Sequence, residues 1–139
     1  MASKGNQVQL QFRSHIKFTE FSALVLSYIR NDLKMDEDNA FKVEIALREV
    51  VNNAIIHGNR NDPEKNVRVS FRWTRNKLII SVEDEGGKVV NFDAIQERLG
   101  QNDILSFSGR GIMITQSYMD RVVFEPTRRG SRIVMEKKL

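Results

Sequence analysis

The order of apolar patterns along this chain predicts an α+β fold, a two-layer sandwich whose mixed, mostly antiparallel sheet carries helices on one face. Three observations point there. Several short segments alternate apolar and polar residues with the two-residue period of a half-buried strand. Others repeat their apolar residues at helical spacing. The later strands come in pairs joined by short turns, and the first two helices are neighbours, which favours a sheet built from hairpins over a parallel one.

Each element follows from its own residues. Residues 7–12, QVQLQF, place Val8, Leu10 and Phe12 on one side of a short strand. In FTEFSALVLSYIRNDL, residues Phe21, Leu24, Val25, Tyr28 and Ile29 recur at helical spacing, with Thr19 as the expected cap. Asp36, Glu37, Asp38 and Asn39 form an acidic entry to a second helix, where the helix dipole favours negative charge. That helix is expected from about Ala40 to His57, with Val43, Leu47, Val50, Val51, Ala54 and Ile55 as its apolar stripe and Gly58 and Asn59 as terminators. The loop RNDPEKN leads into VRVSFRW, a hairpin connection at residues 74–77, and a strand with Leu78, Ile80 and Val82 on one face. Residues 88–108 are weakly patterned, with a short helix expected around Phe92 to Leu99. Gly109, Arg110 and Gly111 precede a helix from Ile112 to Met119, and strands at 122–125 and 132–137 close the chain around a turn at Arg128, Arg129 and Gly130.

Composition narrows the function classes. A chain of 139 residues accommodates one domain with a sizeable core, expected to span 1–139. No apolar run approaches the roughly 18 residues of a membrane span, and the start MASKGNQ carries no hydrophobic signal region, so a cytoplasmic protein is expected. The absence of Cys rules out disulfides and thiolate metal sites. The net charge of +4 is too mild for a nucleic-acid signature. The basic cluster at Arg128, Arg129 and Arg132 and the Lys137–Lys138 pair read first as solvated surface, second as a seat for an acidic protein or a phosphate.

Four short motifs carry the chemistry. Glu49, Asn53 and His57 fall within roughly 80° of one another at the edge of the second helix's apolar stripe. A carboxylate there can take a proton from a hydroxyl, and a carboxamide oxygen suits a Mg²⁺ that keeps most of its waters. His57 also fits a plain helix C-terminus, where positive charge is favoured, besides a contact to phosphate. Asp84–Glu85–Gly86–Gly87 ends a strand; it is either a common turn or a carboxylate placed to accept from a purine amino group beside glycines that admit a flat base. Gly109–Arg110–Gly111 before a helix is either a bend or a phosphate cradle of free N–H groups. Gly130–Ser131 alone reads as a tight turn. No Ser/His/Asp triad stands out, and His15 and His57 are too few for a zinc site.

In this order the four motifs resemble the GHKL ATPase superfamily of gyrase, heat-shock chaperone, histidine kinase and mismatch-repair ATPases. Glu49-x-x-x-Asn53-Ala54 with His57-Gly58 matches its N box, Asp84-x-Gly86 its first glycine box, Gly109-x-Gly111 its second, and Gly130–Ser131 its Gly-Thr pair. Within it, the chain most resembles small bacterial anti-sigma-factor serine kinases of the RsbW and SpoIIAB type; residues 1–39 leave no room for the phosphoacceptor hairpin of a histidine kinase. The resemblance implies a Bergerat-type sandwich that binds ATP and Mg²⁺. Glu49 would be general base and Asn53 the Mg²⁺ ligand. Asp84 would contact the adenine amino group, with Gly86 beside the ring and Ser131 assisting through water. Gly109, Arg110 and Gly111 would hold the phosphates, and residues 88–108 would form a lid over the nucleotide. It further implies a homodimer that binds a sigma factor and phosphorylates a serine of a STAS-domain antagonist, with no nucleic acid or membrane as partner. Two departures favour an alternative, a nucleotide-binding module that sequesters a partner without efficient transfer: Lys88 stands where many relatives have a second Gly, and Phe107 lies near the place of an Arg that faces the γ-phosphate.

Overall fold

A computed structural model describes residues 5–87 and 107–139, with backbone alone at 107–110. The chain runs β1 (Asn6–Arg13), α1 (Lys17–Ile29), a 3₁₀ turn (Arg30–Asp32), α2 (Glu37–Asn53), a π-helical turn (Ala54–Gly58), β2 (Asn66–Trp73) and β3 (Lys77–Glu83). It then continues with α3 (Phe107–Tyr118), β4 (Arg121–Pro126) and β5 (Ser131–Lys138). The strands form one five-stranded sheet in the order β1-β2-β3-β5-β4. All four pairings are antiparallel, so the sheet among the described residues is wholly antiparallel where a mixed one was expected.

Alternation decides which face is covered. Val67, Val69, Phe71 and Trp73 of β2 point to the helices, and Leu78, Ile80 and Val82 of β3 do the same. The α2 stripe meets them, with Val43, Leu47, Val51 and Ile55 fully buried. A one-residue register slip would turn every one of these strand side chains outward, so the apolar pattern enforces the pairing. The opposite face is polar. Across it, Gln11, Arg68, Glu83, Arg132 and Glu125 stand in direct register over all five strands. Arg68 donates to Gln11 and Glu83, and Arg132 pairs with both Glu83 and Glu125.

Helix α2 starts as its acidic entry foretold, three residues earlier than its periodicity alone gave. Asp36 is the N-cap, and its carboxylate accepts from Asn39 N at 2.7 Å. Its last turn is not α-helical. The last turn widens to π geometry, with Asn59 N donating to Ala54 O, and the chain turns away at Arg60 and Asn61, both in the left-handed region at φ 54° and 58°. The helical run still ends where expected, with Gly58 as its last residue and Asn59 as its cap.

Helix α1 overturns two expectations. Thr19 is no cap, because the helix already runs from Lys17; Thr19 is buried and donates to Asn52 Oδ1 of α2 at 2.6 Å. The buried face is Thr19, Ser22, Ala23, Leu26 and Ile29, whereas Phe21, Leu24 and Tyr28 of the expected stripe are 55%, 54% and 71% exposed. Small residues let α1 lie close to α2, and their hydroxyls are satisfied inside, Ser22 Oγ by Phe18 O. Helix α3 opens at Phe107, so Gly109–Arg110–Gly111 lies within its first turns and not ahead of it. Lys137, expected in a solvated tail, is buried in β5 and caps α3 by donating from Nζ to Tyr118 O at 2.9 Å. The expected helix at 92–99 lies outside the described residues, as does the expected lid apart from its last two residues, which begin α3.

Thr19→Val keeps the shape of the α1–α2 contact and removes its hydrogen bond. It is expected to lower stability by about 1 kcal/mol, read as a reduced urea midpoint with an unchanged slope; a true helix cap at this position would predict instead that Thr19→Asp is tolerated.

Candidate functional site

The second half of α2 and its π turn form one wall of the site. Glu49 and Asn53 lie one helical turn apart and are half-buried, with Gly111 of α3 set against both. A Cβ on Gly111 would stand 2.8 Å from Glu49 Oε2 and 3.0 Å from Asn53 Nδ2, so a side chain there would displace the pair. Thr115 Oγ1 donates to Gly111 O at 2.7 Å and steadies this turn. The first four N–H groups of a helix have no partner within it, and in α3 they include that of Gly109. The backbone of that turn thus offers free donors and the positive end of a dipole beside Glu49 and Asn53.

Asn53 Oδ1 is buried and, among the described residues, has no hydrogen-bond partner. An unpaired buried carbonyl costs about 1–3 kcal/mol, so this atom fits a cation ligand better than it fits the interior of the protein alone. Among the described residues no group of three or more His, Cys, Asp or Glu is placed to hold a metal. A cation bound here would take one neutral protein oxygen and draw its other ligands from phosphate and water, the habit of Mg²⁺.

The other end of the site is built around Asp84, just past β3. Its Oδ1 accepts from Gly86 N at 3.0 Å and Ser131 N at 3.3 Å, and its Oδ2 accepts from Ser131 Oγ at 2.8 Å. A carboxylate has about four acceptor positions, which leaves one for a ligand N–H. The carboxylate fits only because its neighbours lack side chains. A Cβ on Gly58 would collide with Oδ2, and one on Gly130 would lie 2.5 Å from Asp84 O and Oδ1. Gly58 is therefore present for close approach. The hydrogen bond Asp84 N to Ser131 O, 3.0 Å, continues the β3–β5 pairing into this corner.

The structure thus brings Glu49, Asn53 and Gly111 together at one end and Asp84, Gly86 and Ser131 at the other, joined by the helix that ends in Gly58. His57 lies on the π turn between the two ends and is exposed. The backbone of Gly109 and Arg110 is in the first turn of α3.

Two residues at this site carried no functional reading in the sequence. Glu85 Oε1 accepts from Asn66 N at 2.5 Å and Oε2 pairs with Arg129 at 3.2 Å; the Asn66 N–H, and after it Arg129, hold the Glu85 carboxyl below its ordinary range. Asn59 is fully buried and bonded to three segments. The available signal was a short amide immediately after His57–Gly58, a position that an ordinary helix terminator explains as well.

Comparison with known proteins agrees with this geometry. Residues 19–137 match the model of the histidine kinase-like ATPase domain. The chain is 29% identical over 136 residues to an anti-sigma F factor of Geobacillus thermodenitrificans (strain NG80-2), covering 96% of this chain and 93% of that protein. It is 28% identical to an anti-sigma F factor of Clostridium perfringens (strain SM101 / Type A), over 96% of this chain and 97% of the relative. The match takes in both ends of the site, and the chain belongs to the histidine kinase-like ATPase domain family.

Proposed function

We propose that this chain is an anti-sigma factor that binds ATP with Mg²⁺, holds a sigma factor, and transfers the γ-phosphoryl group to a serine of a STAS-domain antagonist. The observation that carries the reading is the arrangement along α2: a half-buried carboxylate and a carboxamide oxygen unpartnered among the described residues at one end, a hydrogen-bonded carboxylate among glycines at the other. Glu49 and Gly58 lie along one continuous helical run, so a single elongated ligand lying beside it meets both ends. The names of the relatives, anti-sigma F factor, support the choice of partner.

In this reading Asp84 accepts a hydrogen bond from the exocyclic amino group of adenine. The backbone N–H groups that open α3 receive phosphate oxygens. Asn53 Oδ1 holds Mg²⁺, which spreads the negative charge of the phosphates when bound. Glu49 accepts the proton of the substrate serine as its oxygen bonds to phosphorus and the bond to the departing ADP breaks. Such a transfer depends mainly on positioning and charge stabilisation, so a base, a metal ligand and a donor-lined turn suffice. The alternative, sequestration without transfer, draws on Phe107, which stands at the first residue of α3 where an arginine would serve the γ-phosphate.

Homodimerisation belongs to the same proposal. β1 is an edge strand, and edges tend to be covered. Phe12 of β1 stacks on Phe18 at 5.1 Å, and the rings of Phe18 and Phe21 meet at a tilt with centroids 5.6 Å apart. This aromatic run leads from the edge to the exposed apolar residues of α1, and a second copy would cover Phe21, Leu24 and Tyr28.

Glu49→Gln is expected to bind ATP within about threefold of the parent chain while transfer to a purified antagonist falls by roughly 10² or more, measured with labelled ATP; label retained at the parent rate removes Glu49 as base. Asn53→Ala is expected to abolish the gain in nucleotide affinity that millimolar Mg²⁺ gives the parent chain, read by titration calorimetry with and without the metal. Leu24→Glu is expected to shift a micromolar sample from dimer to monomer in sedimentation; a monomeric parent chain removes the dimer from the proposal.

A further inference from the structure

Asn59 has no exposed surface, yet it carries a full set of polar bonds. Its Nδ2 donates to Ser14 Oγ at 2.8 Å and to Asn66 O at 2.9 Å. Its Oδ1 accepts from Glu85 N at 2.8 Å. Its backbone N–H closes the π turn on Ala54 O. One carboxamide therefore ties the end of α2 to the β1–α1 junction, the start of β2 and the loop after β3.

The bonds to Asn66 and Glu85 form a closed ring. Asn59 donates to the carbonyl of Asn66, the N–H of Asn66 donates to the Glu85 carboxylate, and the N–H of Glu85 donates back to Asn59. A ring of this kind fixes the peptide between Asp84 and Glu85 from one side. Gly86 N and Ser131 fix the Asp84 carboxylate from the other. No other side chain fits the seat. Asp lacks the two donors, Gln is a methylene too long for a packed position, and a leucine would leave the groups facing it unsatisfied.

Resting on the nucleotide reading, we propose that Asn59 is a positioning residue that holds Asp84 in its base-reading orientation and thereby sets the preference for a 6-aminopurine over a 6-oxopurine. A carboxylate held by fixed donors accepts from a 6-amino group and repels a 6-oxo group, because the latter presents a second acceptor. Sites that fix a hydrogen-bonding group discriminate strongly against a ligand lacking its complement. When the Glu85 peptide is released, Asp84 can turn aside and the penalty on the 6-oxo base disappears.

The test is the ratio of IDP to ADP dissociation constants, measured by calorimetry on the full chain. The parent chain is titrated first, then Asn59→Ala, the milder Asn59→Ser, and Ser14→Ala. The last removes a bond of the same carboxamide on the side away from Asp84. A fall in the ratio of tenfold or more in either Asn59 variant, with the parent ratio kept in Ser14→Ala, is the expected result. A merely structural role would lower the melting temperature of all three variants and leave the ratio unchanged, which overturns the proposal. A parent chain that binds neither nucleotide defeats the nucleotide reading itself, whereas one that binds both equally defeats Asp84 as reader of the base and this inference with it.

Discussion

The close approach of the α2 terminus to the β3–β5 corner is the constraint on which the site rests. A carboxylate with two bonded neighbours and a backbone carbonyl cannot sit beside a helix end unless the helix end has no side chain there. Gly58 and Gly130 supply that room around Asp84. The π turn sets the direction in which the chain then leaves the helix. By inserting one residue into the hydrogen-bond ladder it delays the exit to Arg60 and Asn61, and it delivers Asn59 inward while His57 faces out. Wide turns of this sort cost stability and persist where the displaced side chains have a use.

The sheet keeps the two ends of the site in fixed relation. The apolar alternation of β2 and β3 secures register, since a slip would expose a row of fully buried side chains. The row from Gln11 to Glu125 on the opposite face adds a smaller electrostatic preference for the same register. Partly exposed ion pairs contribute no more than about 1 kcal/mol each. Its value lies in location: Glu83 and Arg132 are the residues next to Asp84 and Ser131, so holding that pair level holds the Asp84 corner level too. At the other end, the buried Lys137 anchors the C-terminus of α3, whose N-terminal turn faces Glu49 and Asn53. Both ends of the site are thus fixed by β5 and its immediate neighbours.

The strands were legible because their pattern is local: a residue two places along lies on the same face whatever the rest of the chain does. The broad stripe of α2 was legible for the same reason, and with it Glu49 and Asn53 as residues on the edge of a buried face. Helix α1 was not. Phe21, Leu24 and Tyr28 satisfy a helical period as well as the true core face does, and hydrophobicity alone could not tell a core from a surface left open. What decided it was the closeness of α2, which admits Thr19, Ser22 and Ala23 and has an acceptor ready for the Thr19 hydroxyl. The start of α3 was misplaced because two glycines so close together read as a break, although packing against α2 holds those residues helical.

By itself, then, the order of residues determined the kind of fold, the face of each strand that is buried, and the identity of most groups in the candidate site. These depend on short-range periodicity and on side-chain chemistry, which are properties of the chain before it folds. Tertiary structure alone decided that Gly58 yields space to Asp84, that Asn53 Oδ1 is left buried without a partner among the described residues, and that Asn59 joins Ser14, Asn66 and Glu85. Each is a meeting of segments far apart in sequence. A hydrogen bond between them has no local signature, because its partners become neighbours only when the sheet and helices have closed around them.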